Sequence, residues 1–250
     1  VVKIKAIILA AGYATRLYPL TLDKPKPLLP VAGKPIMEYI LGKVSEVSDI
    51  DEVYVVTNNK FFSHFQKWSD GYDTRLDIKV INDGTMTNED RLGAIGDIDY
   101  VITCEKIDDN VLVIGGDNLF EFDVCDMHKL FEEKNTSVVA LIDLKSKDAV
   151  ANKFGVVELD KNKKIIDFEE KPAKPKSSLA ATACYLFCRE DIKELRRCIE
   201  ENNKPDNSGD FVRYLTSKKE VHGFVFTEGW FDIGSHDDYK EANAVYSKKT

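Results

Sequence analysis

Apolar positions along this chain follow two periods in turn. Residues 3–9 are a nearly unbroken apolar and β-branched run that stops at Ala10-Ala11-Gly12, the pattern of a strand buried on both faces. Residues 35–46 then open a helical pattern, with Ile36, Ile40, Val44 and Val47 close to a 3.6-residue spacing. Further strands are expected at 52–57, 77–81, 111–114 and 137–143, with helices between them at 61–68, 92–102 and 124–134. This alternation, running to about residue 145, predicts an α/β chain with a doubly wound, parallel sheet. Ligands of such sheets collect beyond the carboxyl ends of the strands.

The pattern changes afterwards. Residues 155–159 and 165–169 flank Asp160-Lys161-Asn162-Lys163-Lys164 and read as a hairpin around a polar turn. A strand at 181–188, a helix at 191–203, a strand at 221–226 and a closing helix at 237–247 follow. The Pro/Lys-rich stretch 171–178 reads as an excursion, not a domain boundary, so 1–250 is taken as one domain.

Composition narrows the function classes. Hydrophobic residues are 43% and charged residues 31%, an ordinary globular balance. A net charge of -8 argues against broad nucleic-acid binding, but a cleft's field is set locally, so a cationic pocket stays open. No apolar run approaches the ~20 residues of a membrane span, and residues 6–11 read as a strand, not a signal peptide. The cysteines, 104, 125, 184, 188 and 198, contain no CxxC pair and read as buried thiols of a reducing, cytoplasmic setting. The four scattered histidines argue against a histidine-based zinc site.

Candidate chemistry begins in "ILAAGYATRLYPLTLDKPKPLLP", Ile8 to Pro30, where Arg16, Lys24 and Lys26 stand among four prolines. Backbone amides of a glycine turn after a strand can cradle phosphate, with Arg16 and Lys26 supplying charge. The competing readings are a solvated basic loop and a polyproline ligand, since Pro27-Leu28-Leu29-Pro30 fits PxxP. Neither GxGxxG nor Gly-Lys-Ser/Thr occurs here, which disfavours a dinucleotide oxidoreductase and a P-loop kinase. Downstream, Asp117 in Gly115-Gly116-Asp117-Asn118-Leu119-Phe120 suits either a turn or a hard cation. Taken alone, Glu169-Glu170-Lys171-Pro172 is surface charge and Trp230-Phe231-Asp232-Ile233-Gly234 an aromatic core segment with a turn.

Taken together, these strings resemble the sugar-1-phosphate nucleotidyltransferases, the sugar-nucleotide pyrophosphorylases, and most of all their glucose-1-phosphate thymidylyltransferase-like members. The likeness rests on Thr15-Arg16-Leu17, Pro19-Leu20-Thr21, Pro25-Lys26-Pro27-Leu28-Leu29-Pro30 and Gly33-Lys34-Pro35, then on the three later motifs in the same order. It implies a Rossmann-like, mostly parallel fold with an inserted β-hairpin for the sugar. The nucleotide-binding half would cover about 1–145 and the sugar-phosphate half about 146–250. The resemblance and the position of the helix following Asp232 carry the expectation of a chain without the added β-helix of larger relatives.

The resemblance also implies roles. Arg16 and Lys26 would be catalytic. Leu9, Ala11, Gly12, Thr15, Arg16, Lys26, Asn82, Gly84, Leu92 and Gly93 would bind the nucleotide, with Asn82 in the place of the family's glutamine near the base and Leu92-Gly93 in the later part of that stretch. Asn118, Gly155, Glu170 and Lys171 would bind the sugar phosphate. Asp117 and Asp232 would hold magnesium. The implied partners are a nucleoside triphosphate (dTTP or UTP) and a sugar-1-phosphate, with no nucleic acid or membrane and with a homo-oligomer left open. The alternatives are a cytidylyltransferase acting on another phosphorylated alcohol and a non-catalytic regulatory binder. Two positions depart from the family, which prefers glycine where this chain has Ala14 and Ala183.

Overall fold

The structure, a computed structural model, describes residues 3–201 and 206–249. Its strands are β1 (Ile4–Leu9), β2 (Pro30–Val31), β3 (Lys34–Pro35), β4 (Ile50–Thr57), β5 (Asp77–Asn82), β6 (Asn110–Gly115), β7 (Asn118–Phe120), β8 (Ser137–Asp143), β9 (Gly155–Leu159), β10 (Ile165–Glu170), β11 (Leu179–Phe187), β12 (Val221–Phe226) and β13 (Trp230–Asp232). The helices are α1 (Ile36–Val44), α2 (Phe62–Ser69), α3 (Gly93–Glu105), α4 (Val124–Lys134), α5 (Lys147–Val150), α6 (Arg189–Ile192), α7 (Leu195–Glu201), α8 (Ser208–Thr216) and α9 (His236–Tyr246).

The main sheet runs β10-β9-β11-β6-β1-β4-β5, with β8 joining β11 to β12. Pairing from β6 through β1 and β4 to β5 is parallel, as the alternating pattern predicts. Antiparallel pairing enters through β11, which faces β6, β8 and β9, and through the β9–β10 hairpin. The period-2 alternation explains the layers. Ile4, Ala6 and Ile8 of β1 join one core with Met37 and Leu41 of α1, whereas Ile7 joins a second core with Ile95 and Ile98 of α3. Both faces of β1 are thus covered, which is why its sequence is apolar without a break.

Three differences from the sequence pattern have physical causes. The helix expected at 191–203 is broken at Lys193–Glu194, and its residues 202–203 lie outside the described residues. Asp191 anchors the break, since its buried carboxylate accepts from Ser137 Oγ at 2.6 Å and Lys219 Nζ at 2.8 Å. Helix α8 was not expected, because Ser208 and Gly209 mask its start, yet Asn207 and Asp210 form a capping box there. Strands β7 and β13 have three residues each and no readable period, but they pair with Asp232 opposite Asn118.

Burial applies to Cys184 and Cys198, while Cys104 is exposed. His128 comes near Asp49 and Glu132 on the outer side of α4.

Candidate active site

β1 ends at Leu9, and residues 10–14 turn away from it under several ties. Ala10 N donates to Val56 O at 2.8 Å, and Asn58 Nδ2 donates to Ala11 O at 2.8 Å. Thr21 Oγ1 donates to Ala14 O at 2.8 Å. Ala14 sits at φ 49, a left-handed conformation that costs an L residue about 1–2 kcal/mol. A Cβ at Gly12 would meet nothing within 4 Å. The space beside it is a cavity of about 470 Å³ lined by Leu9, Gly12, Tyr13, Thr15, Arg16, Lys26, Asn88, Arg91 and Asp117, among others.

The prolines aim Lys26. Pro25 and Pro27 are buried and Pro30 is paired in β2, so this stretch is not free to serve as a docking ligand. Pro27 packs on Gly116, where a Cβ would lie 2.8 Å from Leu9 O and 3.0 Å from Pro27 Cγ. Only glycine lets the β6–β7 turn come this close, and that approach carries Asp117 up to Lys26. Lys26 Nζ lies 2.5 Å from Asp117 Oδ2 and donates to Ile233 O at 2.7 Å. Lys24, by contrast, is exposed.

Antiparallel pairing of β7 with β13 sets Asp232 beside Asp117. Asp232 keeps an open face to the cleft, yet protein surrounds its other sides. That crowding and the Asp117 charge push its carboxyl up to about 6, against the pull of Lys26 and Arg16. The guanidinium of Arg16 lies beside Gly234, where a Cβ would be 3.9 Å from Nη2. Two like-charged carboxylates at a strand end are hard oxygen donors, and they fit a divalent cation such as magnesium that also takes phosphate oxygens.

The sugar-side candidates gather around β10 and α8. Cβ atoms on Gly155 and Gly209 would lie 2.6 Å and 2.7 Å from Phe168 Cζ, so the two glycines make room for that ring, and Glu170 Oε2 sits just beyond it at 3.2 Å and 3.4 Å. Burial raises the Glu170 carboxyl and Lys171 partly opposes this. Lys171 Nζ is 3.8 Å from Glu170 Oε1, on a residue at φ 47. The Asn118 amide is engaged at both ends, donating to Thr182 O at 3.1 Å and accepting from Trp230 Nε1 at 2.5 Å.

The structure thus brings Gly12, Thr15, Arg16, Lys26, Asp117 and Asp232 together. A second cavity, about 270 Å³, adjoins Leu9, Ala11, Gly12 and Gly93. Asn82 and Gly84 lie outside the lining of both cavities. The Asn82 amide donates to Asn59 Oδ1 at 2.8 Å, and its oxygen accepts from Gly84 N at 2.9 Å. Leu92 is exposed beside the second cavity, not in its lining. Sequence reading passed over Tyr13, Asn88, Arg91, Asp97, Asp206 and Asn207, all of which line one or both cavities. Arg91, a cation just ahead of the Leu92-Gly93 turn, was the legible signal among them.

Comparison with known proteins gives the family. Residues 5–249 match the nucleotidyl transferase family. The chain is 32% identical over 239 residues to the bifunctional protein GlmU of Methanocaldococcus jannaschii, covering 95% of this chain but 53% of that protein. It therefore spans about half the length of this curated relative. A crystal structure of UDP-glucose pyrophosphorylase with UDP-glucose superposes with a TM-score of 0.83 at 23% identity, covering 100% of both chains. A putative glucose-1-phosphate thymidylyltransferase from Bacillus anthracis, solved with sucrose, gives 0.78 at 26% identity, covering 98% of this chain and 95% of that one. The chain belongs to the nucleotidyl transferase family, in keeping with the likeness of its motifs to the sugar-1-phosphate nucleotidyltransferases.

Proposed function

We propose that the protein condenses a nucleoside triphosphate, dTTP or UTP, with a sugar-1-phosphate, glucose-1-phosphate above all, giving a nucleoside-diphosphate sugar and pyrophosphate. The observation that carries this reading is the convergence of Lys26, Arg16 and the Asp117–Asp232 pair on the open turn at Gly12. A sugar phosphate oxygen attacks the α-phosphorus. A new P–O bond forms, the bond from the α-phosphorus to the β-bridging oxygen breaks, and its electrons leave with pyrophosphate. The attacking phosphate is already ionised at neutral pH, so no general base is needed.

The barrier is the meeting of two anions, and the protein's part is alignment and neutralisation. Lys26 must give up the Asp117 carboxylate to engage the α-phosphate. Arg16 holds the leaving pyrophosphate and Lys171 the incoming phosphate. Asp117 and Asp232 are the residues that would hold magnesium, which when bound supplies positive charge to phosphate oxygens. Glu170, between Gly155 and Gly209, offers a carboxylate to sugar hydroxyls. The reaction draws on nucleoside triphosphate pools, so the proposal includes a cytoplasmic setting.

A pyrophosphate-release screen of four nucleoside triphosphates against several sugar-1-phosphates tests this reading. Release is expected with a pyrimidine nucleotide and a hexose-1-phosphate. No release with any pair would leave a binding protein in place of an enzyme.

A further inference from the structure

The second cavity has a floor that the proposed reaction leaves without a role. α3 opens at Gly93 (φ 77) and reaches Asp97 after one turn. Asp97 is 6% exposed, and among the described residues its Oδ1 is buried with no hydrogen-bond partner. Asp83, 7% exposed, has its Oδ2 in the same condition. The two carboxyls face each other.

Asp83 Oδ1 accepts from Thr85 N and from Thr85 Oγ1, each at 2.7 Å, which holds that carboxyl in place with its Oδ2 unpartnered. One proton on Asp97 Oδ1, donated to Asp83 Oδ2, satisfies both orphan oxygens. Burial first, and then the Asp83 charge, push the Asp97 carboxyl up to about 8. The remaining oxygen, Asp97 Oδ2, belongs to a side chain that lines the cavity beside Leu9, Ala11, Gly12 and Ala94.

We propose that Asp97, bridged to Asp83 by one shared proton, is a base-reading residue whose Oδ2 accepts a hydrogen bond from an N–H or amino group on the nucleobase edge. This deepens the proposed function and rests on its nucleotide-binding half. A base lacking that donor would leave a buried acceptor unpaired, which is the strong form of discrimination available to a polar pocket. Around Asp97 stand the carboxylates of Asp83, on the turn after β5, and Asp206, ahead of α8. Arg91 lies 3.1 Å from Asp206, and Tyr13 lies near Asp83. Loss of the Asp97 proton makes Oδ2 a stronger acceptor, but it also breaks the bridge and sets two anions in contact with a third nearby. Their repulsion turns Asp97 off Asp83 and out of register with the base, so base binding weakens on the alkaline side.

The test is calorimetric binding of UTP, dTTP and CTP, without sugar phosphate, from pH 7 to pH 9. For the tightest of the three, wild-type affinity is expected to fall severalfold through pH 8. Asp97→Ala is expected to lose about 3- to 10-fold at pH 7, the weight of one hydrogen bond. Asp97→Asn is expected to restore that loss and to flatten the pH dependence. Its amide donates to Asp83 while its carbonyl faces the base, as the protonated acid does. Inorganic triphosphate should bind all three proteins alike, which separates base reading from damage to the fold.

Wild-type affinity in Asp97→Ala, or an Asp97→Asn profile that falls in parallel with wild type, overturns the proposal. Nucleotide binding without pyrophosphate release would sink the proposed reaction and leave this result standing. No nucleotide binding at all would sink both.

Discussion

Lys26 and Lys171 are both proposed to meet phosphates, and the protein holds them differently. Lys26 has a side chain 14% exposed, set between Asp117 and the Ile233 carbonyl, on a loop wedged by buried prolines. Lys171 is 57% exposed and 3.8 Å from its nearest acid, on an excursion beyond β10. The proposed nucleotide end holds its cation in place, whereas the proposed sugar end leaves its cation exposed on a long, loose ion pair. A fixed charge stabilises a transition state without reorganising, and a mobile one contributes mainly to binding.

The sharpest way to break this contrast is Lys26→Ala. Turnover is expected to fall about 10²–10³-fold with the fold retained, as read by pyrophosphate release and thermal unfolding. More than half of wild-type activity in this variant would remove Lys26 from the mechanism.

Asp232→Asn is expected to cost on the order of 10²-fold in turnover and yet to stabilise the protein at pH 7. The folded carboxyl titrates at about 6, above its ordinary 3.8, so the native state binds the extra proton between those values. Stability therefore falls as pH rises through that window and stays lower above it. With screening at an open cleft, the gain at pH 7 is about 1 kcal/mol. Chemical denaturation at pH 4 and pH 7 reads it, and a variant less stable than wild type at pH 7 would contradict the crowding. Magnesium should raise the melting temperature of wild type and not of Asp232→Asn.

Lys171→Ala should raise the KM for the sugar phosphate about 10-fold and change kcat less, as steady-state kinetics at saturating nucleotide would read. A kcat loss as large as that of Lys26→Ala would erase the distinction between the two ends. Ala14→Gly has the smallest expected effect, a gain of about 0.5–1 kcal/mol in urea unfolding, because glycine relieves a left-handed alanine. Its penalty of added freedom in the unfolded chain keeps the net small.

The parallel half of the sheet was legible because its strands are buried on both faces and its helices hold one apolar stripe. The residues at the strand ends were legible through ordered motifs. What escaped reading has a common cause. The β7–β13 pairing depends on three-residue strands, and helix α8 begins with Ser208 and Gly209, so neither shows a period. That the Asn118 amide joins Thr182 and Trp230 is a fact of tertiary position alone, and no letter of its motif shows it. The two departures from the family's glycines were visible as letters. The backbone gives them meaning, since Ala14 lies at φ 49 and Ala183 at φ 22.

Asn118 also has a mechanical consequence. Its side chain links the carbonyl of Thr182 on β11 to the indole of Trp230 on β13, and its backbone immediately follows Asp117. It works as a pin joint through three strands. Any opening of the cleft that moves β11 away from β13 must either break this joint or drag the metal-binding candidate along with it.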